Sequence, residues 1–261
     1  MLKEFSLEGK AALITGAGRG IGTGIADVFA EAGAAVVVNA LSETHVKPFA
    51  EKLAARTGAR VIAIAGDCTT PIGAGALVDA AVKELGPLDI LVNNLGDAIP
   101  ARFARVRDGK TETVPDETVD KIIDLNLMAA IYCTRAAAPS MLACGRGKII
   151  NISSIGGIEG SPGLSLYSAA KHAVGGLTRS LALEWAKQGV QVNAIAPGLY
   201  PDPNMMTPEQ FTAAKERVAA RVPMAREGKF RDVGLLALYL ASPASDYMTG
   251  QIISIDGGMT A

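Results

Sequence analysis

The segment that decides the fold runs from Ala11 to Gly22 and reads AALITGAGRGIG. Its first half, Ala11 to Thr15, is an apolar run of strand length, and alternate glycines follow at Gly16, Gly18, Gly20 and Gly22. Glycine lets a backbone turn sharply and lets an anion approach without meeting a Cβ atom. A helix that begins near Gly20 would point free N–H groups and its positive dipole end at that anion. The segment therefore predicts a strand, an anion-binding turn and a helix.

The spacing of these glycines departs from the general dinucleotide fingerprint, Gly-x-Gly-x-x-Gly. Ile21 stands where the third glycine of that fingerprint would fall. The chain has Gly-x-x-x-Gly-x-Gly instead, with Gly18 as an additional glycine. The turn predicts a pyrophosphate site, and the alternative is a glycine-rich turn that binds no nucleotide.

More strand-length apolar runs follow along the chain, and most of them do not alternate with polar residues. Such runs are typical of strands that are buried on both faces of a parallel sheet. They span residues 35–39, 61–65, 90–93, 148–152, 191–196 and 251–255. Helix-like segments lie between them, at 22–32, 74–85, 115–144, 167–188 and 232–241. The pattern predicts an α/β fold, a Rossmann-like doubly wound parallel sheet of about seven strands with helices on both faces. Without a repeat or a compositional break, residues 1–261 are predicted to form one domain.

Two segments interrupt the alternation of strands and helices. Residues 97–113 are polar and basic, and residues 199–208 contain three prolines before a helix-like stretch that continues from Glu209. Both follow strand ends, where open parallel sheets bind their ligands. We predict a substrate loop at about residues 199–212, with simple loop mobility as the alternative explanation.

Composition argues against several classes of protein. Lys and Arg number 25 against 26 Asp and Glu, so no broad basic face for nucleic acid or an anionic membrane is indicated. Three scattered cysteines favour a reducing compartment over disulfides, and two histidines are too few for a zinc site, so no metal is predicted. The sequence lacks a long apolar signal region or a run near the ~20 apolar residues of a membrane span. We predict a soluble, cytoplasmic protein.

Three side chains suit proton chemistry on an alcohol or a ketone. Tyr167 and Lys171 are four residues apart, so they share one face of a helix, and Ser154 lies thirteen residues before the tyrosine. An ammonium group near Tyr167 should lower the pKa of the phenol, which is ordinarily about 10. Ser154 could hydrogen-bond the substrate oxygen. Ser153 directly precedes Ser154 but does not have the same interval to the tyrosine.

In order and spacing, these motifs resemble the short-chain dehydrogenase/reductase family over essentially the whole chain, most closely its 3-oxoacyl-carrier-protein reductase and sugar-dehydrogenase-like members. The segments that carry the resemblance are Thr15 to Gly22, Asn93 to Gly96, Asn126, Ser154 with Tyr167 and Lys171, Pro197-Gly198, and Thr249 to Gly258. The resemblance implies an NAD(P)-dependent oxidoreductase that interconverts a ketone and a secondary alcohol, as a homotetramer. Two positions depart from the family: Leu95 replaces the usual alanine, and Asp202 replaces a common threonine.

The resemblance assigns catalytic roles to Asn126, Ser154, Tyr167 and Lys171. It assigns the cofactor site to Gly16, Gly18, Arg19, Gly20, Ile21, Gly22, Ala40, Ser42, Asp67, Cys68, Asn94, Gly96, Tyr167, Lys171, Pro197 and Gly198. Relatives that prefer NAD carry an acid at the position of Ala40, whereas Arg19 and Ser42 could reach a 2′-phosphate, so NADP is favoured over NAD. The alternatives are a solvated Arg19 and a Glu43 that folds back on the ribose.

The substrate pocket is predicted from residues after Ser154 and from the proline-rich loop. Its members are Ser154, Ile155, Glu159, Leu164, Leu199, Tyr200, Met205 and Met206. Most are apolar, and methionines suit an adaptable wall. Glu159 disfavours a carboxylate nearby unless an arginine from residues 102–107 pairs with it. That basic segment could guide an anionic carrier, as in a 3-oxoacyl thioester reductase, or be a solvated loop.

Two other classes of function are weighed against an oxidoreductase. A catalytically silent dinucleotide-binding sensor would keep the fold, but the complete set of catalytic residues argues against it. A scaffold or a nucleic-acid-binding protein is disfavoured by the balanced charge.

Overall fold

The computed structural model describes residues 2–261, and its main feature is a sheet of seven parallel strands. The strands of the chain are β1 Ala11–Ile14, β2 Ala35–Ala40, β3 Val61–Ala65, β4 Ile90–Asn93, β5 Ala104–Arg107, β6 Lys110–Thr113, β7 Gly147–Ile152, β8 Val190–Pro197 and β9 Ile252–Ile255. The order across the sheet is β3-β2-β1-β4-β7-β8-β9, and every pair is parallel. The reversal of direction beside β1 places the ligand crevice at the carboxyl ends of β1 and β4.

Helices cover both faces of this sheet. They are α1 Ile21–Glu31, α2 Glu43–Thr57, α3 Pro71–Leu85, α4 Asp116–Ile123, α5 Ala129–Cys144, α6 Ser165–Trp185, α7 Pro208–Ala219 and α8 Phe230–Ala241. One apolar core lies between the sheet, α1 and α8, and a second lies between the sheet, α3 and α5. The Rossmann-like fold class predicted from the sequence is confirmed.

Two elements were not predicted. Residues 97–113 include an antiparallel hairpin of β5 and β6, which the sequence analysis treated as a loop. Its turn is Asp108-Gly109, where both residues have positive φ, +51° and +73°. An Asp-Gly pair suits that backbone, which is typical of a two-residue hairpin turn. The other element is α2, which contains Pro48 and carries a weak apolar stripe.

A long apolar helix departs from the sequence-based expectation about membrane spans. Helices α4 and α5 join through a π-helical stretch, Asp124–Met128, into one helix over Asp116–Cys144. By length and composition alone this helix could cross a membrane. Its buried residues pack against α3 and the sheet. The core helix of a water-soluble protein can have the same length and composition as a membrane-spanning helix.

Candidate active site

The glycine turn after β1 is held by the segment that follows β4. Asn94 donates through Nδ2 to the carbonyl oxygens of Thr15, at 2.9 Å, and Gly16, at 3.0 Å. A Cβ atom on Gly22 would lie 2.6 Å from that Nδ2, and one on Gly16 would lie 2.8 Å from Leu95 Cα. Glycine is therefore required at these two positions because the protein itself fills the space beside them.

Gly20 borders a more open space than Gly16 and Gly22, while Gly18 packs close to the end of β2. Gly20 has a φ of +61° and is the N-cap of α1, and a Cβ atom there would have Asp202 Oδ2 as its nearest neighbour, at 3.7 Å. A Cβ atom on Gly18 would lie 3.1 Å from Ala40 Cβ and 3.6 Å from His45 Cβ. The start of α1 is thus accessible to an anion, and its backbone N–H groups and dipole suit a pyrophosphate.

Asn39, which the sequence analysis did not single out, joins the ends of three strands below this turn. Its Nδ2 donates to the carbonyl oxygens of Ile64 and Gly66, each at 3.1 Å, and its Oδ1 accepts from the backbone N–H of Gly16 at 3.5 Å. It is 1% exposed. A polar residue within the buried run of β2 was the available signal, because a buried amide needs specific partners.

The corner that selects between NAD and NADP contains Ala40, Ser42 and His45. Ser42 is the N-cap of α2 and makes no side-chain capping bond within the described chain. His45 also went unpredicted here, although its Cβ is close to Gly18. Neither Ala40 nor its neighbours Asn39 and Leu41 supplies a carboxylate at the end of β2.

The structure directs Arg19 away from this corner, where the sequence analysis expected it. Its Nη1 lies 2.8 Å from Met205 Sδ, and its Nη2 lies 3.7 Å from Asp97 Oδ2. The guanidinium therefore bridges the substrate loop and the segment after β4. Both charged side chains are more than half exposed, and such surface pairs are worth only ~0–1 kcal/mol.

Asp67 and Cys68 follow β3 with side chains in different environments. Asp67 is exposed and accepts through Oδ1 from the backbone N–H and the hydroxyl of Thr69. Cys68 is 1% exposed and packs against Cys133. The Cys68 thiol, together with burial, raises the pKa of Cys133. Of these two predicted cofactor-site residues, only Asp67 has an accessible side chain.

Lys171 and Asn126 meet beside Gly96. A Cβ atom on Gly96 would lie 2.9 Å from Lys171 Nζ and 2.7 Å from Asn126 Oδ1. Lys171 is 3% exposed, and its Nζ donates to the carbonyl oxygen of Ile152 at 2.9 Å. Burial lowers the pKa of Lys171 from 10.5 to about 8.

Asn126 is oriented by three hydrogen bonds. Its Oδ1 accepts from the backbone N–H of Asp97 at 3.1 Å, and its Nδ2 donates to the carbonyl oxygens of Asp97 and Ile122 at 3.0 and 2.9 Å. It lies in the π-helical stretch between α4 and α5. Such π turns within α-helices are frequent at functional sites.

Ser154 and Tyr167 meet across Gly156, past the carboxyl end of β7. A Cβ atom on Gly156 would lie 3.3 Å from Tyr167 Cε1 and 3.5 Å from Ser154 Oγ. The Ser154 hydroxyl accepts from the backbone N–H of Gly156 at 3.0 Å. Lys171 Nζ is 5.8 Å from the centre of the Tyr167 ring. The three residues predicted to act on an alcohol are therefore brought together.

The pKa of Tyr167 moves in the direction opposite to the sequence-based expectation. Burial raises the pKa of the phenol above its ordinary 10.0 and outweighs the lowering effect of the Ser154 hydroxyl. Lys171 donates to a backbone carbonyl rather than to the phenol.

The neighbours of these residues have packing roles. Ser153, which the sequence analysis set aside, donates to the backbone carbonyl of Lys171 at 3.0 Å and is buried. His172 is exposed and bonds through Nδ1 to the carbonyl oxygen of Ser168 at 2.8 Å. The buried Ser168 hydroxyl lies 3.5 Å from the Cβ position of Gly156.

The predicted pocket residues divide into two groups. Met205, Met206 and Glu159 are exposed, while Ile155 and Leu164 are partly buried beside Ser154 and Tyr167. Tyr200 is different: its hydroxyl donates to the carbonyl oxygen of Ile255 at 2.9 Å, and its ring covers Gly228. These contacts hold the Tyr200 side chain against β9 and Gly228. Leu199 and Tyr200 line a separate cavity of about 210 Å³.

Pro197 and Gly198 close the site on the side of the last strand. Pro197 is buried at the end of β8, and the backbone N–H of Gly198 donates to the carbonyl oxygen of Ile255 at 3.1 Å. A Cβ atom on Gly198 would lie 2.7 Å from Asp256 Cα. This glycine is therefore required by the close approach of the C-terminal segment.

A second cavity, of about 350 Å³, lies beside the start of α6, the helix that carries Tyr167. Its lining residues are Arg102, Phe103, Ala104, Pro162, Gly163 and Ser165. The backbone N–H of Ala101 donates to the carbonyl oxygen of Gly163 at 2.9 Å and fixes the hairpin next to this segment. The basic segment is thus adjacent to α6, the helix that carries Tyr167.

Known proteins are similar to this chain in sequence and in fold. The family described as enoyl-(acyl carrier protein) reductase matches residues 16–260. A 2-dehydro-3-deoxy-D-gluconate 5-dehydrogenase from Bacillus subtilis is 39% identical over 260 residues, which cover 97% of this chain and 96% of the relative. A 3-oxoacyl-[acyl-carrier-protein] reductase FabG from Thermotoga maritima is 36% identical over 253 residues, with 97% and 98% of the two chains covered.

A solved structure agrees over the whole chain. The gluconate 5-dehydrogenase from Burkholderia cenocepacia, in complex with NADP and tartrate, has a TM-score of 0.88 and 34% identity, with 99% of this chain and 98% of that chain covered. The sheet order, the glycine turn and the cluster around Gly96 and Gly156 lie in that shared fold. The chain belongs to the short-chain dehydrogenase/reductase family of NAD(P)-dependent oxidoreductases.

Proposed function

We propose that this enzyme reduces a ketone to a secondary alcohol, and catalyses the reverse reaction, with Tyr167 as the general acid and base. The observation that carries the proposal is the convergence of Ser154, Tyr167 and Lys171 around Gly156 and Gly96. The nicotinamide cofactor supplies or accepts the hydride. The chain's own residues bind the cofactor, orient the substrate and move the proton.

Proton transfer is assigned to the phenol of Tyr167. During reduction it donates its proton to the carbonyl oxygen, and during oxidation the phenolate removes the proton of the alcohol. The raised pKa of Tyr167 keeps the phenol protonated at neutral pH, which suits the acid role. The Ser154 hydroxyl, beside the phenol, stabilises the developing charge on the substrate oxygen.

Lys171 and Asn126 are assigned to binding and proton supply. Lys171 would bind the nicotinamide ribose and favour the phenolate when its ammonium is free to turn toward Tyr167. Asn126 would hold a water that connects the lysine to solvent. Their adjacency at Gly96 and the three hydrogen bonds of Asn126 support these roles.

NADP is the cofactor that we propose over NAD. Ala40 brings neither charge nor hydrogen bond to the ribose, and the described N-terminus of α2 is open beside it. The relative solved with NADP supports the same choice. The direction of Arg19 does not favour it, because the guanidinium contacts Asp97 and Met205. The phosphate would therefore have to draw Arg19 from a weak surface contact.

The substrate is proposed to be a small ketone or its alcohol, bound between the 155–164 segment and the loop at about 199–212. Two of the relatives, the 2-dehydro-3-deoxy-D-gluconate 5-dehydrogenase and the 3-oxoacyl-[acyl-carrier-protein] reductase, are named for compounds with an anionic part or carrier. Arg102 beside the cavity at α6 supports an anionic substituent, and a 3-oxoacyl thioester is the specific alternative. Replacement of Arg102 by Ala should then raise KM for anionic substrates and leave KM for neutral ones unchanged.

A homotetramer in the cytoplasm, built from single-domain subunits, completes the proposal. The outer face of α6 exposes small residues, including Ala173 and Gly176, and the apolar Leu183. The balanced charge and the absence of any disulfide among residues 2–261 are compatible with a reducing compartment.

The test is a spectrophotometric assay with NADPH or NADH against a panel of ketones, run with the wild type and Tyr167→Phe. We expect ketone-dependent oxidation by the wild type and a loss of roughly 10²–10⁴-fold in kcat for the variant. Cofactor affinity, measured by calorimetry, should be nearly unchanged because the phenol contributes little to dinucleotide binding. Cofactor binding without turnover on any ketone or alcohol would instead favour the silent sensor.

A further inference from the structure

Asp202 places a carboxylate at the mouth of the cofactor turn. It lies in the substrate loop, at the position where the family commonly has threonine. One oxygen, Oδ1, accepts from the backbone N–H of Asn204 at 2.9 Å. The other, Oδ2, is 3.7 Å from the Cβ position of Gly20, the N-cap of α1.

The environment of Oδ2 is unusual for a carboxylate. The atom is buried, and it has no hydrogen-bond partner among residues 2–261. A buried polar atom without a partner is costly, so other contacts of the loop must hold it there. One such contact lies three residues further along the loop, where Met205 Sδ meets the guanidinium of Arg19.

The same turn is the place where this fold binds the pyrophosphate of a dinucleotide. The pyrophosphate is anionic and is attracted by the N–H groups and the dipole at the start of α1. A carboxylate at that point is itself stabilised by the N–H groups and dipole at the start of α1, and it repels the incoming phosphates. A threonine at this position would do neither.

We propose that Asp202 is a charged gate on the dinucleotide site. Its carboxylate borders the turn at Gly20, opposes the pyrophosphate and moves aside when NADP(H) binds, so that it sets the affinity for the cofactor. The inference rests on the proposed use of a dinucleotide, and it adds that this chain binds one more weakly than its glycine turn alone would allow.

The test measures dissociation constants by isothermal titration calorimetry for the wild type, Asp202→Asn and Asp202→Thr. The asparagine keeps the Oδ1 acceptor that caps Asn204 and removes the charge. We expect both variants to bind NADPH at least about fivefold more tightly at low ionic strength, because one repulsive charge near the phosphates is removed. The gain should shrink in about 0.5 M KCl, where the Debye length is only a few ångströms.

Two controls separate the gate from a general effect. Glu216→Gln removes an exposed carboxylate on α7, beyond the substrate loop, and it should leave the NADPH dissociation constant unchanged. 2′-AMP carries the adenosine and the 2′-phosphate but no pyrophosphate, so Asp202→Asn should not alter its affinity.

The gate would be overturned if the dissociation constant of Asp202→Asn for NADPH were within about twofold of the wild-type value, or larger than it. The gate would also be overturned if Asp202→Asn tightened NADPH binding equally at both salt concentrations, if Glu216→Gln tightened it as much, or if Asp202→Asn tightened the binding of 2′-AMP. If no variant and no wild-type protein bound NADPH, the proposed function would fail together with this inference. Binding by the wild type without the variant effect would remove the gate alone.

Discussion

Lys171 is the residue whose burial most clearly affects its protonation. It is almost fully buried, and burial lowers its pKa from 10.5 to about 8. Between these two values the unfolded chain binds more protons than the folded chain, so the free energy of unfolding rises with pH in that window. Below about pH 8 the cost of burying the ammonium is fully present and does not vary.

We therefore expect the free energy of unfolding to rise by at most about 2 kcal/mol between about pH 7.5 and pH 9.5 through this lysine. Urea denaturation across that range measures the change. Lys171→Met is the control, because it removes the titrating group while keeping an apolar stem, and its slope with pH should be correspondingly smaller. Identical slopes for the two proteins would mean that the ammonium is not held in a dry site.

Cofactor choice is also decided at single residues. Ala40→Asp would introduce a carboxylate that repels a 2′-phosphate and accepts hydrogen bonds from the ribose hydroxyls. We expect the ratio of kcat/KM for NADPH over NADH to fall at least about tenfold, which corresponds to about 1.4 kcal/mol.

Arg19→Ala tests the other half of the cofactor argument. The pair of Arg19 with Asp97 is exposed and weak, so a 2′-phosphate should outcompete it and bind the guanidinium bidentately. The variant should then lose more affinity for NADP than for NAD. If the wild type used the two cofactors equally and Arg19→Ala did not change this, neither Arg19 nor the corner at Ala40 would bind the 2′-phosphate.

At this scale the sequence predicted which residues converge better than it predicted where their side chains point. The intervals between Ser154, Tyr167 and Lys171 follow from helix geometry and strand order, and the structure brings the three together. The direction of Arg19 depends on a loop nearly 190 residues away in the chain, at Met205. No local pattern reports such a contact, and the packing of Tyr200 against Ile255 was hidden for the same reason.

Among the elements, the crossing of α1 and α8 depends on two glycines. A Cβ atom on Gly234 would lie 2.3 Å from the carbonyl oxygen of Gly24 and 2.8 Å from Val28 Cγ2. Alanine is a better helix former than glycine by about 1 kcal/mol, yet here the backbones would have to separate.

Gly234→Ala should therefore lower the free energy of unfolding by roughly 1–3 kcal/mol, the usual cost of overpacking. Gly75→Ala on α3 is the matched control, because nothing lies within 4 Å of its Cβ position. That variant should be neutral or stabilising by up to about 1 kcal/mol. Chemical denaturation of both variants checks the pair, and equal stability changes would contradict the tight crossing.

The elements that the sequence missed were missed for identifiable reasons. The hairpin of β5 and β6 is exposed on both faces, so it lacks the apolar alternation that marks a half-buried strand. Its Asp108-Gly109 turn was nevertheless a local signal. The α2 helix contains Pro48, which disfavours a helix in the sequence, and its packing against β2 and β3 is not visible in a local pattern. The seven strands of the main sheet were predicted because they are short apolar runs, and β1, with all four residues buried, has the continuously apolar pattern of a strand covered on both faces.

At the scale of the whole molecule, the exposed face of α6 is the surface that we propose for subunit contacts. Leu183 is 84% exposed, and the small residues Ala173 and Gly176 lie on the same helix. By contrast Ala129 and Ala130 on α5 and Gly175 on α6 are buried within the chain. A surface of small residues permits close approach by a helix of another subunit, which is the basis of the proposed tetramer.

Gly176 makes the tetramer testable because nothing in its own chain lies within 4 Å of its Cβ position. Within one subunit, Gly176→Glu should be tolerated and should even favour the helix by a few tenths of a kcal/mol. In a tetramer packed on α6, the same glutamate would bury a charge between helices and separate the subunits. Sedimentation velocity at micromolar concentration should show a tetramer for the wild type and smaller species for the variant, with Gly75→Glu on α3 remaining tetrameric. A stable wild-type monomer would contradict the proposed assembly, and a tetramer that tolerated Gly176→Glu would place the interface on another surface.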